Sequence, residues 1–296
     1  MSKNILITGA KGQLGSEIHE IAARYPEFNF IPTDVAELDL TDKAAVANFM
    51  DIHPVDYVIN CAAYTAVDKA EDDLELCYKI NCDAVRNLAE ASAGKAKIIH
   101  ISTDYVFDGQ SNVPYKETDP THPQSAYGKS KLAGEEALLA ACPESIIIRT
   151  AWLYSVYGNN FVKTMLRLGK ERTELNVVYD QQGTPTYAAD LAQAILSVII
   201  HAEKTGSFPA GIYHYSNEGI TTWFDFTVKI LQLAGITACT VHPIPTSLYP
   251  TKTPRPAYSA LDKTKIKTCF EIIVPEWERS LQQCIRLLNL KRLSHE

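Results

Sequence analysis

The chain has 296 residues, 46% hydrophobic and 21% charged, which is enough for a globular unit of one large and one smaller lobe. A formal net charge of −7 argues against a nucleic-acid binder, whose surface is usually basic, yet leaves room for a locally positive pocket facing an anionic small molecule. No apolar run reaches the roughly 18 to 20 residues of a membrane-spanning helix, so a membrane protein is not expected.

The start, Met1-Ser2-Lys3-Asn4, leads straight into a strand pattern and does not read as a signal peptide. The seven cysteines are scattered without a C-x-x-C pair and read as free thiols of a reducing, cytoplasmic setting. Through the first half, short apolar runs at residues 4–8, 28–32, 57–60, 97–102 and 145–149 alternate with helical patterns at 14–24, 43–53, 73–93 and 126–141. Strict alternation with nearly continuous apolar strands predicts a parallel sheet covered on both faces, a doubly wound Rossmann-type α/β fold. After Thr150 the rhythm changes. Strands are expected at 176–179 and 211–215 with a helix at 188–201 between them, and the proline- and threonine-rich stretch 236–259 reads as loops of a smaller α/β substrate lobe. The expected division is a discontinuous dinucleotide-binding domain, 1–152 and 173–217, and a substrate-binding lobe, 153–172 and 218–296.

The first strand runs into Thr8-Gly9-Ala10-Lys11-Gly12-Gln13-Leu14-Gly15, a glycine turn that opens a helix. Glycine serves where backbone takes positive φ or must come close to another group, and the helix start offers free amides and a positive dipole end to a pyrophosphate. The spacing is Gly-x-x-Gly-x-x-Gly, a departure from the Gly-x-Gly-x-x-Gly of classical dinucleotide folds. Asp34 ends the second strand about 20 residues on, where an acid accepts hydrogen bonds from an adenosine ribose. Its charge would repel a 2′-phosphate, which suits NADH, and NADPH stays open. Asp39 and Leu40 are candidates for framing the adenine, although Asp39 fits equally well as an acid near a helix N-cap.

Tyr127-Gly128-Lys129-Ser130-Lys131 sets a tyrosine and a lysine four apart on one helix face. Reduction of a ketone needs a proton as hydride arrives. A phenol with an ordinary pKa of about 10 could supply it if an ammonium lowered that value. Ser102 and Thr103 end the fourth strand, where ligands of open parallel sheets bind, and a hydroxyl there could hold a carbonyl against Tyr127.

These segments resemble the extended short-chain dehydrogenases, and within them the dTDP-4-dehydrorhamnose reductases. The resemblance covers essentially the whole chain. Besides the glycine turn, Ser102-Thr103-Asp104-Tyr105-Val106-Phe107 and the Tyr127–Lys131 motif, it rests on residues 60–71, 149–154, 180–186 and 255–261. It implies reduction of carbon 4 of dTDP-6-deoxy-L-lyxo-4-hexulose by NADPH or NADH to give dTDP-L-rhamnose, a nucleotide sugar for cell-surface polysaccharide. Tyr127 would donate the proton, Lys131 would tune it and hold the nicotinamide ribose, and Thr103 would polarise the carbonyl. The resemblance makes Gly9, Lys11, Gly12, Gln13, Leu14, Gly15, Asp34, Asp39 and Leu40 the cofactor turn and adenosine pocket. Ala62, Ala63, Tyr64 and Thr65 resemble the loop beneath the nicotinamide and ribose. Thr103, Asp104 and Trp152 resemble the sugar-contacting residues, and Arg255 fits a contact to the anionic nucleotide, as its bidentate guanidinium allows.

Some family members dimerise through a magnesium site built from glutamates. Glu17 fits one such position and Asp190 stands at the next, but no clear third ligand occurs near Leu290; no metal is assigned, and a homodimer stays open. The alternatives on the same fold are a sugar-nucleotide epimerase or another dTDP-4-ketosugar reductase. A dehydratase fits less well, because Thr103 is followed by Asp104 and Tyr105 and not by an acid pair. From a different class, a non-catalytic NAD(P)-binding regulatory subunit would be expected to have lost part of the Thr103, Tyr127 and Lys131 set. A hydrolase is disfavoured by the absence of H-E-x-x-H and G-x-S-x-G.

Overall fold

The computed structural model describes residues 2–293. Six strands form one parallel sheet: β1 (Lys3–Thr8), β2 (Phe28–Pro32), β3 (Tyr57–Asn60), β4 (Lys97–Thr103), β5 (Ile146–Thr150) and β6 (Gly211–His214). Their order across the sheet is β6-β5-β4-β3-β1-β2. The chain therefore steps to one side of β1 for β2 and to the other for β3, and the crevice beyond the carboxyl ends opens at that switch. This is the doubly wound α/β class that the alternation predicts.

The two-residue period of each strand sorts its side chains between two cores. Ile5 and Ile7 of β1 pack with Ile18 and with Ile195 of the helix Ala188–Thr205, while Leu6 packs on the opposite face with Val46 and Leu88. All seven of these aliphatic side chains and Ile7's neighbours in β3 are almost wholly buried, so both faces of the sheet must be covered.

One helix departs from its pattern. Residues 73–93 have a continuous helical periodicity, but they fold as Leu74–Tyr78, a π turn at Lys79–Asp83, and Ala84–Ser92. The wider turn sets Asn81 inward, fully buried. Its Nδ2 donates to Ser130 Oγ at 3.0 Å and to the Tyr64 carbonyl at 3.1 Å, and its Oδ1 accepts from the Tyr64 N–H at 2.9 Å. An apolar pattern cannot register such a turn, because what holds it is polar.

The second lobe differs from expectation in one place. The strand Glu174–Val178 lies outside the central sheet and pairs in parallel with Thr240–Ile244, inside the stretch that reads as loops. Thr240 and Pro243 are exposed and no apolar run marks this edge strand. The lobe's core is aromatic, with Tyr154, Tyr187, Phe226 and Trp277 buried together.

The helix Ala126–Ala141 meets the π turn through Gly134, where a Cβ would stand 2.0 Å from the Asn81 carbonyl oxygen. Helix propensity alone would make Gly134→Ala favourable by up to about 1 kcal/mol. The backbone clash reverses the sign, so Gly134→Ala is expected to destabilise the protein by roughly 1–3 kcal/mol, read as a lower midpoint of urea unfolding.

Candidate functional site

The helix Ala126–Ala141 starts at Ser125, whose hydroxyl accepts from the Gly128 N–H at 3.0 Å. Its first turns lie over the end of β4, and this brings Tyr127, Lys131, Thr103 and Asp104 together. Thr103 Oγ1 donates to Asp104 Oδ1 at 2.9 Å, and its hydroxyl lies near enough to the Tyr127 phenol to favour the phenolate. All four residues are buried. The Tyr127 ring packs edge-on against Tyr105, with centroids 5.5 Å apart.

Electrostatics here are dominated by loss of water. Burial pushes the Tyr127 phenol above its ordinary value, only partly offset by the Thr103 hydroxyl. An ammonium-lowered phenol was expected, and the difference has a geometric cause. Lys131 Nζ donates to the Ile101 carbonyl at 2.7 Å and lies 3.5 Å from His100 Nε2, and among the described residues no hydrogen bond joins it to Tyr127. Burial brings Lys131 itself down to about 8. It also raises the Asp104 carboxyl to about 7, against which the hydrogen bond from Thr103 and the nearby Ser259 hydroxyl act in the other direction. Asp104 Oδ2 has no partner among the described residues.

Behind these groups lies a buried ion pair. Arg149 donates through Nη2 to Glu135 Oε2 at 2.6 Å and through Nε to Oε1 at 3.0 Å, and Ser102 Oγ donates to the same Oε1 at 2.5 Å. Both ionic side chains are 2% exposed, so the pair is doubly hydrogen-bonded where an isolated charge would be prohibitive. It ties β4, β5 and the Tyr127 helix together at their functional ends.

Two cavities come near this centre through Tyr105 and Cys61, and Thr103, Asp104, Tyr127 and Lys131 line neither of them. One, of about 630 Å³, is lined by Gly9, Lys11, Gly12, Asp34, Asp39, Leu40, Ala62 and Ala63 among others. Gly9 has φ +64°, and a Cβ there would stand 2.8 Å from the Ala62 nitrogen, so only glycine lets the turn lie this close to the 61–65 loop. The helix Gln13–Ala22 begins at Gly12 with no side-chain cap, which leaves its first amides to a ligand. The turn, the uncapped helix and the acids beside them fit a dinucleotide.

Other expected cofactor residues are placed differently. Leu14 is in the core, and Gln13 Oε1 accepts from Asn160 Nδ2 at 3.0 Å, so both side chains are already committed. Asp34 Oδ2 accepts from the Lys11 N–H at 3.0 Å, which braces the glycine turn. Asp39 Oδ1 accepts from the Thr41 N–H and hydroxyl, while the N-cap of the next helix is Asp42. Tyr64 is held through its backbone by Asn81. Thr65 accepts from the Val67 N–H through its carbonyl and does not line this cavity.

The second cavity, of about 740 Å³, opens between the lobes and is lined by Asp68, Tyr105, Trp152, Arg172, Trp223 and Arg255, with others. Trp152 stacks on Trp223 with centroids 3.5 Å apart. Arg255 Nη2 donates to Asp68 Oδ2 at 2.6 Å, and the Thr253 N–H donates to Asp68 Oδ1 at 3.1 Å. Arg255 Nη1 is buried and has no hydrogen-bond partner among the described residues.

The carboxylates considered for magnesium do not fit a cation. Glu17 Oε1 accepts from Ser155 Oγ at 2.5 Å, and Asp190 Oδ2 accepts from Asn217 Nδ2 and Ser280 Oγ. Burial raises both carboxyls. Among the described residues no group of three His, Cys, Asp or Glu side chains could hold a metal ion.

The RmlD substrate binding domain family matches residues 3–290 of this chain. A dTDP-4-dehydrorhamnose reductase from Aggregatibacter actinomycetemcomitans is 43% identical, over 94% of this chain and 97% of its own. One from Salmonella typhimurium is 41% identical, over 95% of this chain and 97% of its own. The chain belongs to the dTDP-4-dehydrorhamnose reductase family. A solved member from Clostridium acetobutylicum is 46% identical and superposes with a TM-score of 0.91, covering 97% of this chain and 99% of its own. Another, from Bacillus anthracis in complex with NADP, is 40% identical with a TM-score of 0.91 and the same coverage.

Sequence reading within this reductase family missed Asn81, Asp68, Glu135 and Trp223 as parts of the site. Asp68 lies in the 60–71 segment that carries the resemblance, and Glu135 lies one helical turn beyond Lys131. Asn81 and Trp223 carry no comparable signal.

The Asp104 shift gives a pH test. An aspartate ionises near 3.9 when unfolded but near 7 in the folded protein, so between these values the folded state binds the extra proton. This group therefore makes stability fall as pH rises from about 4 to 7. Relative to the native chain, Asp104→Asn should gain stability across that window and hold a constant difference above about pH 8, measured by urea unfolding. A pH-independent difference would place the carboxyl in water.

Proposed function

We propose that this protein reduces the 4-keto group of dTDP-4-dehydro-6-deoxy-L-mannose to dTDP-L-rhamnose, with NADPH or NADH as reductant. The observation that carries the reading is the buried Tyr127–Thr103–Asp104 chain of hydroxyl and carboxyl groups, with Lys131 one turn away, in a chain of this reductase family. A reduced nicotinamide bound beside β4 supplies the hydride.

The other steps belong to the chain's own residues. A phenol held above its ordinary value is fully protonated at neutral pH, which is the form a proton donor needs. The Tyr127 hydroxyl, and the Thr103 hydroxyl once turned from Asp104 Oδ1, would donate to one carbonyl oxygen, and together they would polarise it and fix its direction. Asp104, about half protonated near neutrality, offers a donor or an acceptor to a sugar hydroxyl through its unpartnered oxygen. The free Nη1 of Arg255 and the stacked Trp152 and Trp223 face the nucleotide part. The uncapped amides of Gln13, Leu14 and Gly15, at the turn formed by Gly9, Lys11 and Gly12, would hold the pyrophosphate. Asp34, Asp39 and Leu40 would wall the adenosine half, Ala62, Ala63, Tyr64 and Thr65 would pass beneath the nicotinamide ribose, and Lys131, held on the Ile101 carbonyl, would give its remaining hydrogens to that ribose.

This reading carries a division into a dinucleotide-binding part, 1–152 and 173–217, and a substrate lobe, 153–172 and 218–296. It also carries a cytoplasmic location, which suits seven free thiols and the lack, among the described residues, of any helix long and apolar enough to cross a membrane.

The test supplies dTDP-6-deoxy-L-lyxo-4-hexulose with each cofactor and identifies the sugar formed. dTDP-L-rhamnose is expected; a product epimeric at carbon 4, or no turnover by folded protein, contradicts the reading. Tyr127→Phe should keep cofactor affinity and lower turnover by roughly 10²-fold or more, and full activity in that variant would remove the phenol from the reaction.

A further inference from the structure

A buried chain of hydrogen bonds crosses the sheet behind Lys131. The parallel register sets Thr8 of β1 beside Asn60 of β3, and Asn60 beside His100 of β4. Thr8 Oγ1 donates to Asn60 Oδ1 at 2.7 Å, and the Ala62 N–H donates to the same oxygen at 3.2 Å. Asn60 Nδ2 lies 3.0 Å from His100 Nδ1, and His100 Nε2 lies 3.5 Å from Lys131 Nζ. None of these four side chains is more than 2% exposed.

The geometry fixes where the protons are. Turning the Asn60 amide over would set its NH₂ against the Ala62 N–H, which has no other hydrogen-bond acceptor among the described residues. Asn60 Nδ2 is therefore the donor, and His100 Nδ1 must accept. Burial, reinforced by the nearby lysine, keeps the imidazole neutral. Its single proton then sits on Nε2 and faces Lys131. An ammonium cannot accept that hydrogen, whereas a neutral amine can.

We infer that His100 is a positioning residue that favours the neutral amine of Lys131 in the ligand-free protein, so that binding of a nicotinamide dinucleotide draws one proton from solvent onto that lysine. The inference rests on the cofactor reading above. The dinucleotide adds hydroxyl acceptors and phosphate charge, both of which favour the ammonium. The balance is simple: a buffer acid gives up a proton and Lys–NH₂ becomes Lys–NH₃⁺.

The other groups facing Lys131 do not restore the charge beforehand. Glu135, on the same helix, favours the ammonium but is already held by Arg149 and Ser102. Cys61, after β3, and Cys77, on the helix Leu74–Tyr78, would favour it only as thiolates. Burial pushes the Cys61 thiol up to about 12, and Cys77 Sγ shares a hydrogen bond with Ser130 Oγ. Burial likewise keeps Tyr127 a neutral phenol. Burial of the lysine acts in the same direction as His100 and brings it to about 8.

Calorimetry of NADPH binding to the full-length protein, in buffers of different ionisation enthalpy, counts the protons taken up. Burial alone, with a pKa near 8, would leave the lysine roughly one quarter neutral at about pH 7.5, so with His100 facing it an uptake above about half a proton is expected at that higher pH and little at about pH 6. His100→Phe removes the facing N–H and should cut uptake at the higher pH by at least about half. Asn60→Asp still accepts from Thr8 and Ala62 but calls the imidazole proton to Nδ1. This turns Nε2 into an acceptor for the ammonium, so uptake should be lost there too.

Nitrogen-15 spectra of histidine in the ligand-free protein read the tautomer directly. A proton on Nε2 is expected in the native chain and on Nδ1 in Asn60→Asp. NADPH binding without proton uptake, an Nδ1-protonated His100 in the native chain, or unchanged uptake in both variants overturns the inference. If NADPH does not bind at all, the cofactor reading fails instead, and the tautomer spectra still decide this one. If His100→Phe fails to fold, Asn60→Asp and the spectra carry the decision.

Discussion

Lys131 has almost no contact with water, and a buried amine is costly unless its hydrogens and its charge are answered. The answer comes from the sheet. The Ile101 carbonyl accepts one hydrogen, and His100 stands on the next site. Both groups lie on β4, whose last residue, Thr103, also reaches the Tyr127 phenol and Asp104. One strand thus faces the amine with its carbonyl and imidazole and sets the position of the Thr103 and Asp104 side chains beside Tyr127. The Ser102–Glu135–Arg149 network pins the same strand to β5 and to the helix that carries Tyr127 and Lys131. Few of these groups can shift alone, because each would leave another buried and unpartnered.

The second lobe is tied to this centre by polar contacts at one edge and aromatic contacts at another. Asp68 takes both the Arg255 guanidinium and the Thr253 N–H, which fixes a segment of the second lobe against the first. Trp152 follows β5 directly and has φ +48°, a left-handed conformation that costs a non-glycine residue about 1–2 kcal/mol. Its stack on Trp223 and the close approach of Gly183 to its ring hold it there. Strain of this kind is kept where the surroundings over-determine it, and here it aims an aromatic face into the cavity between the lobes.

What could be read from the sequence followed local periodicity. Strands such as 57–60 and helices such as 126–141 bury regular apolar faces, and the structure has them where the pattern puts them. Tyr127, Lys131 and Thr103 were legible because a four-residue helical spacing and a strand end are local facts. The π turn at Asn81 was not, since a single inward amide holds it. The pairing of Glu174–Val178 with Thr240–Ile244 was hidden because an exposed edge strand has no apolar run. Burial, finally, reverses the expected direction for Tyr127: the sequence shows an amine near a phenol, but not that both are dry and that the amine is turned to β4.

The central claim is that the buried hydroxyls at the end of β4 receive a ketone presented to a reduced nicotinamide in the adjoining crevice. The most direct measurement follows deuterium from NADPH or NADH labelled at carbon 4 of the nicotinamide. The account predicts one deuterium at carbon 4 of the product sugar, located by proton and deuterium NMR, and no deuterium at that carbon when unlabelled cofactor is used in deuterated water. Deuterium appearing there from solvent, or product without label at that carbon when both carbon-4 hydrogens of the cofactor are deuterium, would contradict it.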